Sequence, residues 1–165
     1  MDSKKILVFI VEDNEMYSMM LDYILTKEST HRFMRFNTGE KCVENLHLEP
    51  DIILLDYGLP GMDGLETIGK IKEYSSDIPV IIITANKNAA ITQRLLDAGA
   101  YDYILKENDD IVPLIVETVE NALKKLETSK KVKDIKKQSS LTKILVAVLI
   151  VTLALIGISM TGFGS

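Results

Sequence analysis

Residues 52–64 read IILLDYGLPGMDG. Four aliphatic residues run straight into Asp56, and a carboxylate is costly to bury unless something compensates it. Other short apolar runs also end on side chains able to do chemistry. ILVFIV (6–11) runs into Glu12-Asp13, PVIIIT (79–84) ends on Thr84, and YDYILK (101–106) ends on Lys106. Three carboxylates at adjacent strand ends repel one another and invite a divalent cation. Oxygen-only donors with room for water suit Mg²⁺ better than Zn²⁺, which prefers His and Cys. A lysine adds a positive point charge, and a threonine adds a hydroxyl donor. Such a set accepts a phosphoryl group: metal and lysine neutralise its equatorial oxygens, the hydroxyl hydrogen-bonds one of them, and a carboxylate attacks in line.

That chemistry requires a scaffold that brings the strand ends to one rim. Between the apolar runs lie longer amphipathic ones. NEMYSMMLDYILTKES (14–29) places Met16, Met20, Tyr23, Ile24 and Lys27 at three- and four-residue steps, the period of a helix. HRFMRFNT (31–38) sets Phe33 and Arg35 against Met34 and Phe36, the period of a strand near an edge. GEKCVENLHL, GLETIGKIKEY and NAAITQRLLDAGA read as helices, Asp63 as the cap of the second of these, and a last helix starts at about Pro113 after the capping candidates Asp109 and Asp110. Five strands alternating with five helices, the central strands apolar without alternation, predict an α/β fold with a doubly wound parallel sheet covered on both faces. Its site is expected beyond the carboxyl ends of the strands, where the strand order reverses.

Charge is unevenly spread. Residues 1–123 carry 11 Lys+Arg against 22 Asp+Glu, whereas residues 124–143 carry 8 Lys and 2 acids. An acidic body argues against a broad nucleic-acid surface. Cys42 is the only cysteine, which excludes an intrachain disulfide and suits a reducing compartment. KKILVFIV is too short for a signal core, so secretion is not expected. His31 and His47 are isolated from each other and read as surface positions.

Several phosphate-handling folds fail on the residues. A flavodoxin needs a hydroxyl-rich loop after its first strand, where this chain has Glu12, Asp13 and Glu15. Rossmann and P-loop proteins need glycines in that turn. An aspartyl phosphatase of the haloacid-dehalogenase type usually has a second aspartate two residues after its nucleophile, and here Asp56 is followed by Tyr57-Gly58. Singly, Glu12-Asp13 could begin a helix and Asp56 could cap a loop. As a set, the acid pair, LDYGLPGMDG around Asp56, Thr84-Ala85, and Lys106 with Tyr103 three residues before it resemble the receiver domains of two-component response regulators over residues 4–125.

The resemblance implies a five-stranded flavodoxin-like sheet of strand order 2-1-3-4-5. It implies a phosphoacceptor that assists its own phosphoryl transfer and dephosphorylation rather than a turnover enzyme. Asp56 would take the phosphoryl group from a histidine kinase or histidine phosphotransfer protein. Asp13, Asp56 and the Gly58 backbone carbonyl would bind Mg²⁺, with Glu12 acting through water. Lys106 would pair with the phosphate, Thr84 would swing toward it, and Tyr103 would turn inward to remodel the face met by a downstream protein. An intermediate phosphorelay carrier, and a scaffold that only binds partners, remain open alternatives. One departure concerns the residue after the lysine: the family commonly has proline, and Glu107 stands here.

Beyond residues 1–125 we expect a basic linker or helix extension over 126–143. ILVAVLIVTLALIGISMTGF (144–163) is uncharged over a length that would span a hydrocarbon core as a helix. With lysines before it, the expectation is a single-pass inner-membrane anchor with the receiver on the cytoplasmic side. Thr152, Gly157, Ser159 and Thr161 leave homodimerisation open.

Overall fold

A computed structural model describes the backbone of residues 5–28, 31–108 and 110–161, and their side chains except at 28, 150 and 153–161. In chain order the elements are β1 (Leu7–Val11), α1 (Glu15–Glu28), β2 (Arg32–Phe36), α2 (Gly39–Glu44), a 3₁₀ turn (Leu46–Leu48), β3 (Ile52–Asp56), α3 (Gly64–Tyr74), β4 (Val80–Thr84), α4 (Ala89–Asp97), β5 (Asp102–Leu105) and α5 (Ile111–Thr161). The five strands form one parallel sheet of order β2-β1-β3-β4-β5. This is the doubly wound flavodoxin-like arrangement expected, with the order reversing between β1 and β3.

Every residue of β3 and β4 is buried, because helices cover both faces of the sheet and neither set of alternate side chains reaches water. The period of two sorts them into two cores. Val8, Ile10, Ile52, Leu54, Ile81, Ile83 and Ile104 pack with Leu21 and Leu25 of α1 and Ile115 and Val119 of α5. Phe9, Val11, Ile53, Leu55, Val80 and Ile82 pack with Cys42 of α2, Ile68 and Ile71 of α3 and Leu95 of α4. β2 and β5 are the partly exposed edge strands.

Two expectations need correction, on His31 and on the tail, and the structure adds the buried face of α1, which periodicity left unspecified. Helix α1 forms, but Met16 and Tyr23 are exposed, while Ser18, Leu21 and Leu25 are its buried residues. The helix is apolar around much of its circumference, so three- and four-residue steps fit more than one face. The sheet selects the face. His31 is half-buried rather than at the surface, lining a cavity of about 50 Å³ with Val8, Leu25, Phe33, Val116 and Val119.

The membrane expectation is overturned. Among the described residues no helix is long and apolar enough to cross a membrane. Within 144–163 the side chains of 144–149, 151 and 152 are described, and all of them are exposed. The remainder of 144–163, including Gly157, Ser159 and Thr161, lies outside the described side chains. The chain divides into two compact units, Met1–Leu126 and Glu127–Ser165. The first contains the sheet, and the described part of the second is helical.

Candidate phosphoryl-transfer site

Strand parity determines which strand-end side chains can meet. Glu12 continues the alternation of Val8 and Ile10, Asp56 that of Ile52 and Leu54, and Lys106 that of Ile104, so all three emerge on the α1/α5 side of the rim. Thr84 continues Val80 and Ile82 and lies on the other side. Tyr103 pairs in register with Ile82 and shares that side.

On the α1/α5 side Lys106 joins two acids. Its Nζ donates to Glu12 Oε2 at 2.7 Å and to Asp56 Oδ2 at 2.8 Å. The side chains of Glu12 and Asp56 are 2% and 9% exposed, and that of Lys106 18%. The cost of ending a buried strand in a carboxylate is thus offset by a shared ammonium, contributed by the strand end two places along the sheet. The remaining carboxylate oxygens are also engaged: Asp56 Oδ1 accepts from Gly58 N at 3.1 Å and Glu12 Oε1 from Asn14 N at 3.3 Å.

Two carboxylates against one ammonium leave the site anionic, and the protonation tendencies follow. Burial raises Glu12 above the ordinary carboxylate range; the Lys106 hydrogen bond opposes this, and the Asp56 charge adds to it. Burial alone would lower Lys106, but hydrogen bonds and charge from Asp56 and Glu12 outweigh it and hold the ammonium above its ordinary value. Exposed Asp13 completes an acidic group whose ligand oxygens, one each from Glu12, Asp13 and Asp56, lie within 4.8 Å of one another. No His or Cys belongs to that group, and a hard, all-oxygen donor set fits Mg²⁺.

The loop after β3 is held open by local chemistry. Asp63 caps α3 as the sequence suggests, its carboxylate accepting from Glu66 N at 2.8 Å while Glu66 reaches back to the Asp63 N–H. Gly64 lets the chain fold back: a Cβ there would stand 2.7 Å from Tyr57 Cα. At Gly58 a Cβ would find only the Asp56 oxygens, at 3.8 and 3.9 Å, so glycine leaves the approach to Asp56 open. Thr84 is buried, with its Oγ1 accepting from Asn86 N at 3.0 Å, and Tyr103 is 38% exposed. The structure therefore brings Glu12, Asp13, Asp56, Gly58 and Lys106 together, and holds Thr84 on its own loop and Tyr103 outward.

Three further contacts escaped the sequence reading. Glu40 of α2 accepts from Met62 N at 2.7 Å and anchors the β3–α3 loop. Lys87, after β4, forms an ion pair with Glu107, the residue in place of the usual proline. Tyr17 of α1 places its ring 4.6 Å from Lys106 Nζ. Strand parity is the one signal that could have pointed to Tyr17, because it sends Lys106 to the side that α1 covers.

The sequence model of the response regulator receiver domain matches residues 8–120. The chain belongs to this family. As a receiver domain it is 32% identical over 119 residues to sporulation initiation phosphotransferase F of Bacillus subtilis, covering 72% of this chain and 90% of that protein. It is 35% identical over 99 residues to the transcriptional regulatory protein KdpE of Staphylococcus aureus, covering 60% of this chain but only 42% of that regulator's length. A CheY-like receiver domain from Methanospirillum hungatei superposes with a TM-score of 0.71 at 22% identity, over 76% of this chain and 99% of that one. That last likeness speaks for the fold alone. Receiver domains are generally phosphoacceptors that bind Mg²⁺ at an acidic pocket, the chemistry that the buried Glu12–Lys106–Asp56 bridge can support.

Proposed function

We propose that this receiver domain accepts a phosphoryl group on Asp56 from a phosphohistidine donor, a histidine kinase or histidine phosphotransfer protein, and signals by altered protein contacts. The supporting observation is the Lys106 ammonium shared by buried Glu12 and Asp56 beside exposed Asp13. An Asp56 carboxylate oxygen attacks phosphorus in line. The P–N bond breaks, its electron pair stays on the imidazole nitrogen, and an acyl phosphate forms. Asp13, Asp56 and the Gly58 carbonyl would hold Mg²⁺, with Glu12 acting through water. The ion, when bound, supplies positive charge to the phosphoryl oxygens. Lys106, freed from Asp56 Oδ2, would pair with a phosphoryl oxygen. Thr84 would exchange its Asn86 bond for another such oxygen, opening space for Tyr103 to turn inward. The functional unit is taken as residues 1–125, with 126–143 as its basic extension.

The test is incubation of the full chain with Mg²⁺ and acetyl phosphate, followed by mass spectrometry. One added phosphoryl group is expected on the wild type and none on Asp56→Asn. No adduct on the wild type, or one that survives the substitution, refutes the assignment. A relay role has specific support in the likeness to sporulation initiation phosphotransferase F, since the chain spans 90% of that protein. It predicts rapid passage of the phosphoryl group from Asp56 to a histidine phosphotransfer protein, which the phosphorylated chain can be assayed for directly.

A further inference from the structure

Lysine is a flexible side chain, and Lys106 must keep its ammonium at the rim although its side chain is 18% exposed. Two hydrogen bonds hold the head on the acids. The third contact is the ring of Tyr17, whose centroid lies 4.6 Å from Nζ. Two other lysines lie over tyrosines, Lys27 over Tyr23 at 5.8 Å and Lys125 over Tyr101 at 5.0 Å. The Lys106 contact is the shortest of these, and the Lys106 side chain is only 18% exposed. A cation over an aromatic face gains most where it is desolvated.

The position of Tyr17 is itself coupled to the site. Asn14 N donates to Glu12 Oε1, and Asn14 Oδ1 in turn accepts from Tyr17 N at 3.0 Å as the cap of α1. The first turn of α1 is thereby tied to the same glutamate that receives Lys106. The Tyr17 hydroxyl, by contrast, is buried without a hydrogen-bond partner. What the site uses is the ring.

We propose that Tyr17 is a positioning residue for Lys106: its aromatic face holds the ammonium on the Glu12–Asp56 carboxylates and shields it from water. Its consequence for phosphoryl transfer rests on the phosphoacceptor reading of Asp56, whereas the positioning of the ammonium does not. A purely packing role would be satisfied by leucine or methionine, which fill space but offer no π face. Phenylalanine keeps the face and loses only the unpartnered hydroxyl.

Two measurements on the full chain test this. The first records ¹H–¹⁵N signals of lysine ammonium groups, in which a head shielded from exchange gives a resolved signal, assigned by its disappearance in Lys106→Arg. The second is the rate of phosphorylation by acetyl phosphate with Mg²⁺. Tyr17→Leu loses the Lys106 signal and is phosphorylated roughly fivefold to tenfold more slowly, and the conservative Tyr17→Phe rescues both. Tyr17→Met replaces the leucine variant if that one does not fold, as judged by its tyrosine near-ultraviolet circular dichroism. A Lys106 signal absent from the wild type, or retained in the leucine and methionine variants, overturns the proposal. So does a wild-type rate in those variants. A wild type that takes no phosphoryl group refutes the Asp56 assignment instead, and the ammonium signal then decides the role of Tyr17 alone.

Discussion

Replacing Lys106 by methionine removes the one ammonium that Glu12 and Asp56 share and retains much of the stem's volume. Both acids stay buried, and each loses a charge-assisted hydrogen bond of 2.7 or 2.8 Å. Hydrogen bonds to charged groups contribute about 1.5–3 kcal/mol each, and breaking a buried ion pair from one side costs about 3–5 kcal/mol. Water reaches the rim beside exposed Asp13, so we expect a loss of about 3 kcal/mol at pH 8 without Mg²⁺. For a unit of this size that lowers Tm by roughly 10 °C. The sign of the pH dependence follows from Glu12. Its folded pKa already lies above the ordinary value because of burial, and without the lysine's opposing hydrogen bond it rises further. A raised carboxyl favours folding as pH falls through its folded pKa toward 4.5, so the deficit of Lys106→Met shrinks on acidification. Mg²⁺ held by the acidic cluster of the folded variant is expected to recover part of the loss, by about 2.7 kcal/mol at a hundredfold excess over Kd. All six tyrosines lie between residues 17 and 103. Urea unfolding followed by tyrosine near-ultraviolet circular dichroism therefore reports on the sheet unit alone. Stability within about 0.5 kcal/mol of wild type at pH 8, or a deficit that does not shrink with acid, refutes the account of the bridge.

Other perturbations test the frame around the site. Burial pushes the Cys42 thiol from 9.0 up to about 12, so the folded state keeps a proton that the unfolded chain loses. Stability falls as pH rises from 9 toward 12, by at most about 4 kcal/mol from this group, and urea midpoints across that range should fall less steeply for Cys42→Ala. Gly64→Ala drives a Cβ to 2.7 Å from Tyr57 Cα and 3.0 Å from the Asp56 carbonyl oxygen. Backbone atoms cannot yield as a side chain can, so a loss of about 1–3 kcal/mol is expected in urea unfolding. A Cβ at Gly58 meets only ordinary contacts, so Gly58→Gln is expected to leave stability within about 0.5 kcal/mol. It places a side chain in the water's approach to Asp56, so the adduct should decay more slowly in a mass-spectrometric time course.

Much of the scaffold was legible because it is local. Apolar runs such as IILLD and VIIIT announce strands covered on both faces, and Asp63 followed three residues later by Glu66 announces a helix cap. The acids, threonine and lysine could be assigned to strand ends for the same reason. Local pattern was insufficient for α1, where Met16 and Tyr23 fit a helical stripe yet face solvent. It was also insufficient for the tail, where a run of uncharged residues suggested an anchor that the described helix does not supply.

By itself, then, the sequence determined the order of elements and the kinds of side chain delivered to the rim, since both follow from periodicity and from what ends each strand. Tertiary structure alone decided which of those side chains share an anionic pocket. Lys106 reaches Glu12 across 94 residues and Asp56 across 50, distances over which no local pattern carries information. The pairing exists because three strands of the same parity end on the side covered by α1. The same closure sets Tyr17 over the Lys106 ammonium and Lys87 against Glu107, contacts between loops and helices whose meeting depends on how the whole sheet is covered.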